Sequence, residues 1–349
     1  MFGPAQLYRN EGNGTFRDVT RDTLGPTTWG GIGAKAFDFN NDGKLEVYIV
    51  DMHSDMWMGL DAQHTSLELA RRSEKEKFST YFGPLGEGDE TAHQAALEMA
   101  DLLEYQLSEV IHGNSFFKAL GGGRFEEISN TANLETFWPW GIAAEDFDND
   151  GHPDVFLPSG MGYPFYYWRN YLLMNNGDET FTDRGSEMGI EPPAGGIYLP
   201  QKIRNQPSAR SSRCAATADF DGDGRLEIVT NNFNDRPYYY RSSLPRRNYG
   251  AFRLRGTQSN RDAVGALVKL HIGEEVMLRQ VQAAGGYLSH SSKTLHFGLG
   301  DRPKVDWAEI RWPSGRRQRI DAPAINRLHD IVEPETDSKP LGSTDAGNE

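Results

Sequence analysis

One acidic pattern occurs three times: DFNNDGKLEV at residues 38–47, DFDNDGHPDV at 146–155 and DFDGDGRLEI at 219–228. Positions 1, 3, 5 and 9 of each copy carry an oxygen-bearing side chain, position 6 is glycine, and a strand-like apolar run follows. Carboxylates crowded this closely repel one another unless a cation lies among them. Hard oxygen donors at these spacings suit Ca2+, which takes six to eight oxygens at about 2.3–2.6 Å. The glycine permits the sharp turn that curls the chain around an ion. The spacing therefore predicts three structural calcium sites. The first uses Asp38, Asn40, Asp42 and Glu46 with the Lys44 carbonyl; the second uses Asp146, Asp148, Asp150 and Asp154 with the His152 carbonyl. The third uses Asp219, Asp221, Asp223 and Glu227 with the Arg225 carbonyl. An EF-hand begins in the same way but needs a bidentate Glu at position 12 and a helix beyond it. Position 12 here is Ile49, Leu157 or Thr230, so the EF-hand is excluded.

A second pattern alternates with the first. Leu7, Tyr8, Arg9 and Asn10 lead to Gly14, Thr15 and Phe16; Phe116, Phe117 and Lys118 lead to Gly123, Arg124 and Phe125. Leu172, Leu173, Met174 and Asn175 lead to Thr180 and Phe181. Two short apolar runs about a Gly/Asn-rich turn form a hairpin. A strand pair carrying an acidic loop, followed by a hairpin, makes a four-stranded blade, and repeated blades make a propeller. Three acidic loops imply three blades, fewer than a closed ring needs. The hairpin at residues 7–19 reads as the outer half of a blade whose inner strands precede it. The expectation is a partial propeller, truncated at its start, with open edges that invite self-association.

These two alternating motifs resemble FG-GAP/VCBS repeats, which build calcium-binding β-propellers. The C-terminal part resembles the ASPIC/UnbV module of the cartilage acidic protein family. The residues that carry this likeness are SNRDAVGA at 259–266, GGYLS at 285–289, LHFGLG at 295–300 and IRWPSG at 310–315. His290 departs from the family, which more usually has Gln there. The resemblance implies a secreted, periplasmic or cell-surface protein without a defined catalytic role. Residues 266–272 and 276–281 flank Gly273, Glu274 and Glu275 as a hairpin would, and residues 305–312 alternate again. The fold expected is mainly β: FG-GAP-type propeller blades over residues 1–247, interrupted by a helical insert at about 59–112. A small all-β domain covers 248–335, and a polar, disordered tail covers 336–349.

Formal net charge is −14, which argues against nucleic acid as the main partner. The charge is unevenly spread: residues 236–332 hold 17 Lys/Arg against 8 Asp/Glu, so an acidic body faces a basic C-terminal module. No apolar run is long enough for a transmembrane helix. The start of the chain shows no secretory signal. Cys214 is the single cysteine, which excludes an internal disulfide framework and reads as a small core residue.

Two features fall outside the repeat. Ala92, Ala95, Ala96, Met99, Leu102, Leu103, Leu107, Val110 and Ile111 recur at helical spacing, with Asp89 as N-cap and Gly113 as the C′ residue. This insert reads as a lid across the propeller face or as a partner-binding helix pair. Asp51, His53 and Asp55 share one face if extended, a pattern able to bind a transition metal or supply a base. Three functions follow in order of preference. The first is a non-catalytic adhesion or scaffold module for an unknown protein or glycan ligand. The second is a metal-assisted hydrolase at the rim around His53. The third is a lectin-like propeller using Tyr163, Phe165, Tyr166, Tyr167 and Trp168 beside Tyr238, Tyr239 and Tyr240.

Overall fold

The computed structural model describes residues 4–52, 110–111, 113–160, 169–191, 202–203, 206–207, 211–233 and 235–336. Each acidic loop joins the first two strands of an antiparallel sheet. The first blade runs Gly31–Phe37, Glu46–Asp51, Ser115–Gly121, Arg124–Glu127, each strand paired with the next. The second runs Ala143–Glu145, Asp154–Leu157, Tyr171–Asn175, Phe181–Asp183 in the same way. The third has three strands, Ser212–Ala218, Glu227–Asn232 and Tyr238–Tyr240. The hairpin of Tyr8–Asn10 and Phe16–Asp18 forms its own two-stranded sheet and does not join the third blade. Among the described residues the blades form a partial propeller, not a closed ring.

The second strand of each of the first two blades is covered on both faces, which is why it reads as a near-continuous apolar run. One core lies between the first two blades. Phe39, at position 2 of its loop, meets Phe116 of its own blade edge-on at 4.9 Å and Phe181 of the next blade at 6.2 Å. Phe147, the same position one repeat later, enters the core shared with Ala215, Leu226 and Ile228 of the third blade. Phe220 holds that position in the third loop and is 55% exposed, meeting the Tyr239 ring at 5.8 Å.

The C-terminal domain is two facing sheets. Asn248–Arg255 pairs antiparallel with Leu295–Gly300 and parallel with Leu328–Val332; the other sheet runs Glu275–Gln280, Leu267–Ile272, Trp307–Arg311, Arg317–Asp321. Phe252, Leu254, Val268, Leu270, Phe297, Ile310 and Trp312 fill the space between them. Glu333 closes the domain by accepting the backbone N–H groups of Thr257, Gln258 and Ser259 at 2.7–2.8 Å and the Ser314 hydroxyl at 2.5 Å. Burial pushes its pKa up, but these donors outweigh burial and hold it at about 2. Two of the motif segments, around Ser259 and Ser314, thus converge on one carboxylate.

The segment between its strands, residues 282–292, reaches the first strand of the first and third blades and the residues just before that of the second. Gln282 donates to the Ala36 carbonyl at 2.6 Å, and the Ser292 N–H donates to Thr217 at 2.9 Å. Gly286 bridges Gly141 beside the second blade, while Tyr287 meets Trp140 at 5.0 Å. A Cβ on Gly286 would stand 2.4 Å from the Ile142 nitrogen, so only glycine permits this approach.

Three expectations need correction or restriction. Val110 and Ile111 are not helical: they pair parallel with Thr27 and Thr28, as their β-branched side chains favour. The rest of the insert, with His53 and Asp55, and Tyr163, Phe165, Tyr166, Tyr167 and Trp168, lies outside the described residues. Cys214 is half-buried rather than core, because the register shifts between Ser212 and Cys214 and a bulge turns it outward.

Candidate metal centre

The three acidic loops share one hydrogen-bond scheme. The position-1 carboxylate accepts the N–H groups of positions 5 and 6: Asp38 from Asp42 and Gly43, Asp146 from Asp150 and Gly151, Asp219 from Asp223 and Gly224, all at 2.8–3.2 Å. Position 3 accepts the position-5 N–H, from Asn40, Asp148 and Asp221 alike, at 3.1–3.3 Å. Position 9 reaches back to the position-2 N–H: Glu46 to Phe39, Asp154 to Phe147, Glu227 to Phe220, at 2.9–3.2 Å. Positions 1, 3 and 9 thereby converge. One oxygen each of Asp146, Asp148 and Asp154 lies within 4.8 Å of the others, and the same holds for Asp219, Asp221 and Glu227. The first loop has one carboxylate fewer, since Asn40 takes position 3.

Position 5 behaves differently from positions 1, 3 and 9. Asp42 pairs with the Lys44 ammonium at 2.6 Å, and Asp223 pairs with the Arg225 guanidinium, whose hydrogen bond holds its pKa down at about 2. Asp150 accepts the His152 N–H at 2.8 Å. Residues Lys44, His152 and Arg225 stand at position 7 as the spacing requires, with two of their side chains acting as local counter-charges.

Burial raises the cost of these negative charges. It pushes Glu46 up to about 8, Asp38 to about 6 and Asp146 to about 7, with neighbouring carboxylates adding to the rise, and it lifts Asp154 and Glu227 as well. Arg279 of the C-terminal domain partly offsets this for Asp38 and Asp146. Glu227 Oε1 is buried and, among the described residues, has no hydrogen-bond partner. Glu46 Oε1 likewise makes no bond of normal geometry; the Ala119 amide only eases the charge of its carboxylate. A buried, unsatisfied carboxylate oxygen is costly. A hard divalent cation at the point where positions 1, 3 and 9 converge would satisfy it, so the donor set fits calcium.

A feature that the spacing alone did not reveal lies at position 4. Asn41 donates to the Gly151 carbonyl at 3.0 Å, and Asn149 donates to the Gly224 carbonyl at 2.7 Å. Each loop is tied to position 6 of the next. Both asparagines adopt left-handed φ, 57° and 59°, which Asn tolerates better than most residues. The third loop has Gly222 there. The Asn/Asn/Gly series was visible in the sequence, but its partner was not.

The model for the FG-GAP-like repeat matches residues 2–49 and 105–157, and the model for ASPIC and UnbV matches residues 256–338. Over those residues the chain carries FG-GAP-like repeats and an ASPIC/UnbV domain. It is 23% identical to "Cartilage acidic protein 1" of Mus musculus over 356 aligned positions, covering 97% of this chain and 42% of that protein. It is 24% identical to "Cartilage acidic protein 1" of Xenopus tropicalis, covering 98% of this chain and 43% of that protein. The chain thus spans less than half the length of these curated relatives. The first two acidic loops fall wholly within the FG-GAP matches, and the third lies beyond them.

Of the other residues singled out, Asp51 is buried and committed to structure. Its carboxylate accepts the Thr28 hydroxyl and the Gly30 N–H, the latter at 2.8 Å. Asn232 is likewise occupied by Ser212 and the Arg236 carbonyl. His296 packs in its strand against Asn149, and His152 stays in its loop. Tyr238–Tyr240 form the outer strand of the third blade, with Tyr239 exposed and Tyr240 half-buried.

Proposed function

We propose that this FG-GAP protein binds calcium at all three acidic loops and acts outside the cytoplasm as a non-catalytic adhesion or scaffold module. The observation that carries this reading is the convergence of positions 1, 3 and 9 in a common loop geometry, with Glu227 Oε1 buried and unpartnered at the focus of the third loop. A short loop cannot supply a hydrophobic core, so an ion that cross-links its two strands takes that role. The likeness to the cartilage acidic proteins supports a place in the extracellular space. Binding to the folded loops but not to the open chain stabilises the fold by mass action. Native mass spectrometry should therefore count three calcium ions on the metal-loaded chain, and a chelator should lower its Tm by several degrees. A melting curve that chelation leaves in place, on protein verified free of metal, would sink the calcium reading.

A further inference from the structure

The ASPIC/UnbV domain touches the acidic loops at the positions that would hold calcium. The Leu278 N–H donates to Asp38 Oδ2 at 3.1 Å, so the first loop's leading carboxylate takes a donor from a strand some 240 residues away. The next residue, Arg279, is buried; its Nη1 donates to the Leu278 carbonyl at 2.9 Å, and its Nη2 has no hydrogen-bond partner. The charges that attract it are Asp38 of the first loop, Asp146 of the second and Glu145 at the end of the strand before it. Gly298 lies flush on the second loop. A Cβ there would stand 2.1 Å from Asp146 Oδ2 and 2.4 Å from the Asn149 Cα. Beside it His296 Nε2 meets Asn149 Oδ1 at 2.6 Å, and the Gly300 N–H donates to the Asn149 carbonyl at 2.7 Å.

We infer that Leu278 and Gly298 are positioning residues of the first two calcium loops, so that calcium occupancy and docking of the ASPIC/UnbV domain are linked. This inference rests on the calcium reading above. The physical reason is that the domain grips the curled form of each loop. The Asp38 oxygen faces Leu278, and the Asn149 backbone faces Gly300, only while positions 1 to 6 wrap inward. An ion that holds that curl favours docking. By thermodynamic reciprocity, docking raises calcium affinity by the same factor. The third loop is met by the Tyr249 ring, which lies against Gly224, but receives no backbone donor from the domain's strands, so the linkage is centred on the first two sites.

The test uses the full chain in two arms. In the first, hydrogen exchange is followed with calcium and after chelation, with bound calcium counted by native mass spectrometry. Peptides covering Leu278 and Gly298–Gly300 should exchange at least about tenfold faster after chelation, while Trp307–Arg311 and Arg317–Asp321 keep their protection. In the second, Gly298→Leu drives a wedge between domain and loop without altering any charge. It should weaken calcium binding about tenfold at two sites and leave one unchanged. A chain that binds no calcium ends both the calcium reading and this inference. Three bound ions with exchange at Leu278 unmoved by chelation, or with Trp307–Arg311 and Arg317–Asp321 losing protection equally, ends the linkage alone. If Gly298→Leu does not fold, the wild-type exchange arm decides by itself.

Discussion

Asn149 donates its side-chain amide to the Gly224 carbonyl at 2.7 Å while its own Oδ1 meets His296 Nε2 at 2.6 Å. One buried asparagine thus joins the second loop, the third loop and the C-terminal domain. Burial and the nearby Arg279 push the His296 pKa down to about 3, so the imidazole is neutral and donates to Asn149 through Nε2.

Replacing Asn149 with Ala leaves two buried partners unsatisfied, each costing about 1–3 kcal/mol, and places Ala at a left-handed φ. We expect Asn149→Ala to destabilise the protein by about 2–4 kcal/mol in urea unfolding with calcium present. Asn41→Ala, which lies in a less buried place, should cost less. Equal losses from the two variants would show that the clasp to His296 contributes nothing beyond the loop-to-loop bond.

Asp148→Ala and Asp221→Ala each remove a converging carboxylate from one loop. Each should lower the calcium count by one and keep the other two ions, read by native mass spectrometry. Loss of all three ions from either variant would contradict independent loops.

The Glu46 carboxyl, pushed to about 8 in the metal-free fold, makes stability depend on pH. Its pKa is raised above the unfolded value, so between the two the folded state binds more protons and stability falls as pH rises. Metal-free protein should lose about 1–2 kcal/mol between pH 6.5 and 8, read as a falling urea midpoint. Glu46→Gln should reduce this slope, and what remains belongs to Asp146 and Asp154, which burial also raises. Calcium should also release a proton at pH 7, seen as a dependence of the calorimetric heat on the buffer's ionisation enthalpy. A pH-independent midpoint in the metal-free protein would refute the raised Glu46.

The insert should be separable from the blade it interrupts, because the Asp51 N–H donates to Asn114 Oδ1 at 3.0 Å and so brings its two ends together. Since Val110 and Ile111 pair with Thr27 and Thr28, the segment to replace is 59–109. With a short Gly/Ser linker in its place the chain should remain soluble and keep its calcium count. An aggregated product with lost near-UV circular dichroism would show the insert to be integral.

The repeat pattern by itself determined the blades: the acidic loops, their two flanking strands and the following hairpins all lie within some 35 residues or resume directly after an insert, so local spacing encodes them. It also determined which side chains converge, because positions 1, 3 and 9 are brought together by bonds within the loop, Asp38 to Gly43 and Glu46 to Phe39 among them. The opposed charges of body and C-terminal module were legible as well, and Arg247 meets Asp148 at 2.9 Å. Tertiary structure alone decided the rest. Arg279 and Gly298 look like ordinary strand residues until the domain folds back onto the loops. Asn41 and Asn149 look like turn residues until the neighbouring blade presents its carbonyl. These contacts join residues that lie 75 to 240 positions apart, as Asn149 to Gly224 and Leu278 to Asp38 do. No local period records such a separation; it is set by how the twist of each sheet aims one blade at the next.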